Sequence, residues 1–297
     1  MTGERDWAER MPGKMSFDHC YSGETPACFF SGFSKHDWMA PDTARPYIAQ
    51  AAEFCRRRAK DGRVRVVDVG CSFGINSMLL LSRLAYSQIQ AWYTSEFYHS
   101  LSVEDAMVVD EQLYSLFKNN SKIIVSGMDM ASKALHYGKR VGLLQDTLRC
   151  DLESPDTPAG LADFCMGTDL IISTGTVGYV THVTFEKLLR EGDTECRPLL
   201  ALFVSRTFNT DRLVQTLTQH GYHVIHDTRV RLRQRRFASD EEQDAALALV
   251  KGIWPLGEIY ETDGWVYAHP MIATKNEELT KQFSDFIFGP IDSPSGP

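Results

Sequence analysis

Residues 64 to 76, Val-Arg-Val-Val-Asp-Val-Gly-Cys-Ser-Phe-Gly-Ile-Asn, constrain the fold more than any other stretch of this 297-residue chain. Val64, Val66, Val67 and Val69 are β-branched and dense enough for a buried parallel strand. Gly70 and Gly74 bracket a turn, and Ile75, Met78, Leu79, Leu80 and Leu84 follow at helical spacing. The stretch therefore predicts a strand, a tight glycine loop and a helix, with an acid, Asp68, just before the loop. Glycines there free the backbone to take unusual dihedrals and let a ligand touch it. The helix N-terminus adds N–H donors that no helical carbonyl uses.

The rest of the chain repeats the alternation. A helix is expected over residues 41–60, ended by Asp61 and Gly62. Strands are expected at 122–130, 147–152, 168–173, 199–204, 222–232 and 264–273, with helices at 133–142, 184–190, 210–220 and 241–251 between them. Such alternation implies a doubly wound α/β sheet, mostly parallel, with the last two strands free to return antiparallel. Residues 87–121 interrupt the pattern: an aromatic loop or short helix, then a helix over 103–118. Residues 1–38 look irregular, but Phe29, Phe30, Phe33 and Trp38 are too many large apolar groups for a free tail. The expected organisation is an N-terminal lid and helical extension over 1–60, a core domain over 61–288 carrying the 87–121 insertion, and a proline-rich flexible tail over 289–297.

The segment Asp68-x-Gly70-x-Ser72-x-Gly74 resembles motif I of the class I S-adenosylmethionine (SAM) methyltransferases, an acid followed by three glycines at alternate positions. Ser72, also small, stands at the middle glycine. The resemblance covers about residues 63–275 and implies that family's Rossmann-like, seven-stranded, mostly parallel sheet. It implies SAM as cofactor, held along the carboxyl ends of the strands. Asp68, Gly70, Cys71, Gly74 and Asn76 would form the loop and its acid, Asp129 would take the ribose hydroxyls with Met130 beside it among the cofactor contacts, and Asp151 the adenine amino group while Leu152 packs on the ring. Ser173 and Thr174 would face the methionine part. One acid at a strand end is an ordinary turn residue; three at successive strand ends, in the family's order, point to a ligand. The rival is a dinucleotide fingerprint, which fits worse because no glycine lies between Gly70 and Gly74. A dinucleotide also brings a pyrophosphate to the helix N-terminus, whereas SAM has no phosphate.

The net charge of −8 argues against nucleic acid as the main partner. No apolar run approaches the roughly 20 residues of a membrane span. Residues 1–21 carry scattered charges and no apolar signal core, so a cytoplasmic protein is expected. The seven cysteines include no CxxC pair, so neither a disulfide framework nor a zinc site is expected, and no metal. Candidate catalytic groups are His36, His182 and Arg206, and candidate substrate contacts are Trp38, Tyr98, Tyr179 and Arg206. Arg206 would pair with an acceptor carboxylate, whereas a hydroxyl or amine acceptor would call on a histidine base. Arg229, Arg231, Arg233 and Arg235 recur with period two, one charged face of an edge strand. The arrangement looks like the small-molecule O-methyltransferases of secondary metabolism, acting on a carboxylate or hydroxyl of a small organic acid, with N- or C-methylation next. An NAD-dependent oxidoreductase and a non-catalytic regulatory partner of the same fold are the readings from other classes. The aromatic insertion could also join two copies as a homodimer.

Overall fold

Residues 17–191, 198–226, 228–255 and 257–288 are described in the computed structural model. The expected 289–297 tail and the first 16 residues of the expected lid lie outside them. The strands are β1 (Val64–Val69), β2 (Ile123–Asp129), β3 (Thr147–Arg149), β4 (Leu170–Thr174), β5 (Leu199–Ser205), β6 (His223–His226), β7 (Leu232–Arg236) and β8 (Trp265–Thr274). They form one sheet in the order β3-β2-β1-β4-β5-β8-β6, with β7 also on β8. β1 to β5 run parallel and β8 runs antiparallel to β5, β6 and β7. The fold is the doubly wound, mostly parallel α/β sheet the alternation implies.

The helices are α1 (Ala27–Ser34), α2 (Ala40–Arg58), α3 (Ile75–Leu81), α4 (Tyr86–Tyr93), α5 (Glu96–Ser100) and α6 (Val103–Leu116), then α7 (Ser132–Arg140), α8 (Leu161–Cys165), α9 (His182–Glu191), α10 (Asp211–Gln219), α11 (Asp240–Ile253) and α12 (Glu277–Phe288). β1 is buried except at Arg65, because both faces are covered. Val64 and Val66 pack with α2 and α12 through Ile48, Ala51, Phe54 and Phe283. Val67 and Val69 pack with α9 and α10 through Phe185, Leu188, Leu213 and Leu217.

Four expectations are corrected. The sheet has eight strands, because the sixth is broken in two: β6 pairs with residues 271–274 of β8 and β7 with 265–268. Pro270 falls in the gap, and a proline has no N–H to give the ladder. The arginine stripe is also broken. A bulge between Arg233 and Arg235 turns Arg235 inward, where it pairs with Glu242 at 2.6 Å, and brings Arg236 to the outer face, paired with Asp37. The helix assigned to an N-terminal extension, α2, is a covering layer of the sheet itself. Residues 27–34, read as irregular, form α1.

The insertion forms three helices, and it shares a third apolar cluster with the N-terminal segment. Phe17, Phe29, Phe30 and Phe33 meet Tyr86, Ile89, Tyr93 and Tyr98 there, together with Phe73 of the glycine loop and Tyr137 of α7. The strand β7 is closed on its outer side by the same segment: Met39 N–H donates to Gln234 O at 2.7 Å and Arg236 N–H to His36 O at 2.7 Å. Both irregular regions of the sequence are thereby drawn to the carboxyl end of the sheet.

Candidate functional site

The strand order reverses between β1 and β4, and in open α/β sheets such a switch point opens a crevice at the carboxyl ends of the strands. The glycine loop after β1 lines it. Gly70 has φ +75°, and a Cβ there would lie 2.4 Å from Thr176 Oγ1, so the turn requires glycine. Gly70 and Cys71 donate to Met128 O at 2.8 and 3.2 Å, which ties the loop to β2. Ser72 takes a left-handed conformation, φ +52°. Its N–H donates to Asp129 Oδ2 at 2.8 Å, while Ala131 N–H donates to Asp129 Oδ1 at 2.9 Å. Met130 N–H also acts on this carboxylate, and a carboxylate with about four lone-pair sites keeps acceptor capacity beyond these main-chain donors. Burial raises the Asp129 pKa against the pull of those N–H groups. Met130 beside it is 61% exposed, an apolar face presented to the crevice rim.

Beneath the loop, Asp68 is completely buried. Both its oxygens accept from Asn76 Nδ2 at 3.1 Å, and Asn76 Oδ1 accepts from Thr174 Oγ1 at 3.2 Å. Burial pushes the Asp68 carboxyl up to about 7, opposed by the Asn76 bond and reinforced by nearby Asp129. Ser173 is also fully buried and donates to Val69 O at 2.9 Å. Cys71 is buried against Gly127, and burial raises its thiol pKa well above the ordinary value. The side chains of Asp68, Cys71 and Ser173, expected at the cofactor site, are buried beneath the loop and brace it from below. Gly74, at φ +80°, is the N-cap of α3.

The third acid stands where the sequence put it. Asp151, half-buried, follows β3, and its Oδ1 accepts from Glu153 N–H at 2.9 Å. Leu152, expected to pack on a ring, is turned into the core instead. Two residues that sequence reasoning passed over hold this loop. Glu153 accepts from Thr181 N and Oγ1, both at 2.8 Å, and from Thr184 N and Oγ1 at the start of α9. Lys187, buried on α9, donates to Leu152 O at 3.0 Å, to Asp156 O at 3.1 Å and to Ser154 O. An acid and a base straddling the loop fix the end of β3 to the helix that follows β4. His182, half-buried, is the first residue of α9, and Tyr179, half-buried, lies on the turn before it.

Arg206 is the largest correction on the acceptor side. It is 3% exposed, with Nε 2.8 Å from Oε1 of Glu261, itself 1% exposed. Its Nη2 donates to Glu258 O at 2.7 Å and its Nη1 to His269 Nε2 at 3.2 Å. A guanidinium only donates, so His269 accepts at Nε2 and donates from Nδ1 to Val230 O at 2.9 Å. The guanidinium is enclosed by these partners and by the Tyr260 ring, 4.2 Å away, and offers nothing to a substrate.

Tyr98 is sealed as well. Its hydroxyl donates to Asp110 Oδ2 at 2.6 Å, Tyr137 donates to the same oxygen at 2.7 Å, and Trp92 Nε1 donates to Oδ1 at 2.8 Å. Tyr93 lies 2.8 Å from both Tyr114 and Tyr137 hydroxyls. Because Tyr137 gives its proton to Asp110, the chain must run Tyr114 to Tyr93 to Tyr137 to Asp110. The sequence carried a signal for this hub: Asp110 shares the apolar helical face of Ala106, Met107 and Tyr114.

Trp38 is half-buried, its ring 5.0 Å from Phe29 and 6.1 Å from Tyr86. His36 packs edge-on to Phe17 at 5.6 Å, and burial and the Arg235 charge hold its pKa below the usual histidine value. Two hydroxyls, Ser72 Oγ in the glycine loop and Tyr86 Oη at the start of α4, are buried without a hydrogen-bond partner among the described residues, as is Ser77 Oγ of α3. None was foreseen as a free hydroxyl, because a missing partner leaves no mark in a sequence.

No family model matches the chain, and no curated protein matches it. Among solved structures, the plantazolicin methyltransferase BamL, in complex with a triazolic desmethylPZN analog and SAH, is 10% identical, with 91% of this chain and 97% of that one covered and a TM-score of 0.43. The magnesium protoporphyrin IX methyltransferase from Synechocystis PCC 6803, with bound SAM, is 12% identical over 89% of this chain and 93% of that one, TM-score 0.38. A precorrin-6y C5,15-methyltransferase from Geobacter metallireducens GS-15 is 12% identical over 72% and 80%, TM-score 0.36.

Proposed function

We propose that this chain is a SAM-dependent methyltransferase acting on an oxygen of a small-molecule acceptor. The observation that carries the reading is Asp129. It ends β2 beside the glycine loop, is oriented by main-chain N–H groups, and keeps acceptor capacity beyond them. A ribose diol, with two adjacent O–H donors, fits that carboxylate. Met130, next to Asp129, and Asp151, after the neighbouring strand β3, suit the face and amino edge of an adenine. SAM, when bound, supplies an electrophilic methyl; the chain's own residues hold the nucleoside and aim the acceptor.

The floor of the site also speaks against a dinucleotide. A pyrophosphate would have to settle at the N-terminus of α3, where Asn76 is committed to the buried carboxyl of Asp68. A further anion there meets like charge.

Within this reading the acceptor is a hydroxyl rather than a carboxylate. The cation that a carboxylate would need, Arg206, is closed into its own ion pair. A hydroxyl needs a base, and His36 and His182 are the candidates, with Trp38 and Tyr179 as walls. The low pKa of His36 keeps it in the neutral, proton-accepting form at neutral pH. The test is a thermal-shift series with SAM, SAH, NAD and NADP. Stabilisation by SAM and SAH alone supports the reading, and stabilisation by NAD or NADP alone overturns it.

A further inference from the structure

We infer that the cavity between the start of α10 and the end of β6 is a further small-molecule site, one that binds a neutral, hydroxyl-rich ring such as a sugar. The inference stands apart from the methyltransferase reading.

The cavity has a volume of about 510 Å³, inside the roughly 300–1,000 Å³ of small-molecule sites. It lies at the carboxyl end of the sheet, because α10 follows β5 and His226 ends β6. β4, β5 and β8 stand between β1 and β6. Four strand spacings of about 4.8 Å set its β6 end roughly 19 Å from the glycine loop. A nucleoside on Asp129, one strand further away, does not reach it.

One residue shows that the cavity is equipped for hydrogen bonding. Thr210 is 6% exposed and lines it. A threonine at a helix N-cap usually turns its hydroxyl onto the first-turn N–H groups from an extended backbone. Here φ is −91° and ψ −5°, helical values, and the hydroxyl makes no cap bond. It has no other hydrogen-bond partner among the described residues, yet it is not enclosed as the Ser72, Ser77 and Tyr86 hydroxyls are. Its remaining surface opens into the cavity, so it is satisfied only from there, by water or by a ligand.

The lining says which ligand. Asp211 and Gln215 stand one turn apart on α10 and share a face. Asn209 Oδ1 accepts from Asp211 N–H at 2.8 Å, which leaves its NH₂ over. Together with Thr210 they offer donors and acceptors side by side. The other lining elements bring rings, Trp254 and His226, with centroids 6.0 Å apart. Trp254 Nε1 donates to Arg206 O at 2.9 Å, so the indole is fixed and its one polar atom is used. Asp211 is a negative charge, and no Lys or Arg among the described residues lines the cavity. An anion would meet a carboxylate and no cation. A cation would meet the positive end of α10 and leave the amide donors idle. Sugar hydroxyls both donate and accept, and the ring keeps an apolar C–H face for the indole.

The test is saturation-transfer NMR on the full chain. Methyl α- and β-glucopyranoside, methyl β-galactopyranoside and myo-inositol are the neutral probes; glucose 6-phosphate and choline are the charged ones. At least one neutral probe should bind wild type, and neither charged one more tightly. Thr210→Val keeps the branched shape and removes the hydroxyl. It should weaken the bound probe roughly 3- to 10-fold, while the melting temperature holds because no bond within the chain is lost. Gln215→Ala, on the exposed edge, should weaken it to a similar extent. No binding by any neutral probe, tighter binding of a charged one, or equal affinity in wild type and both variants overturns the inference. A Thr210→Val protein that melts lower with probe affinity unchanged assigns the hydroxyl to the fold and overturns it as well.

Discussion

Two aspartates in this chain, Asp110 and Asp129, are both drawn out of water, and burial raises the pKa of both. Asp110 is closed on every side: its partners are the side chains of Trp92, Tyr98 and Tyr137, and it is completely buried. Asp129 is held by main-chain N–H groups alone, those of Ser72, Ala131 and Met130, and is only half-buried. The first joins elements that would otherwise separate; the second is oriented for something outside the chain. Burial or a perturbed pKa alone does not distinguish a binding acid from a structural one; the acceptor capacity left over does. Arg206 and Glu261 belong with Asp110, a charge pair sealed by its own protein.

That contrast can be broken by substitution. Arg206→Ala should have the largest effect on stability, about 3–5 kcal/mol, because it leaves Glu261 buried and uncompensated. Chemical denaturation measures it, and SAH affinity of the folded variant should match wild type. A stable Arg206→Ala protein with impaired turnover would return Arg206 to the acceptor site. Asp110→Asn comes next, at about 2 kcal/mol, since the amide weakens charge-assisted bonds without opening a cavity. It should loosen the insertion and leave SAH binding in place; weaker SAH binding at unchanged stability would contradict the division drawn here.

The smallest effect is a pH dependence. The folded-state pKa of His36 lies below its ordinary 6.5, so its contribution to stability is full above that pH and is lost as pH falls through the folded value. Melting curves of wild type and His36→Gln should keep a constant gap above about pH 6.5. Below it, wild type should fall relative to the variant. A gap that changes only above pH 7 would give the wrong sign.

How much of this was readable beforehand follows the range of each interaction. β1, the glycine loop and α3 were legible because strand, turn and helix signals there are local. So were the acids at three successive strand ends. Arg206 looked like a free cation at the ligand edge because its partner, Glu261, comes from the segment before β8, and nothing near Arg206 announces it. Tyr98 was misplaced for the same reason: Asp110 and Tyr137 reach it from two other helices. The broken sixth strand was hidden because its cause, Pro270, sits in the neighbouring strand. The inward turn of Arg235 needed a bulge, which shifts the period by one residue without altering the alternation upstream.

The central claim, that the carboxylate at the end of β2 holds a nucleoside, is tested most directly by titrating SAH into wild type and Asp129→Ala in a calorimeter, with melting curves of both ligand-free proteins. Two charge-assisted bonds at about 1.5–3 kcal/mol each predict a loss of roughly 100-fold or more in affinity, measured at a temperature where both proteins are folded, since the main-chain donors left unpaired also lower the melting temperature. Equal SAH affinity in the two proteins would contradict the account.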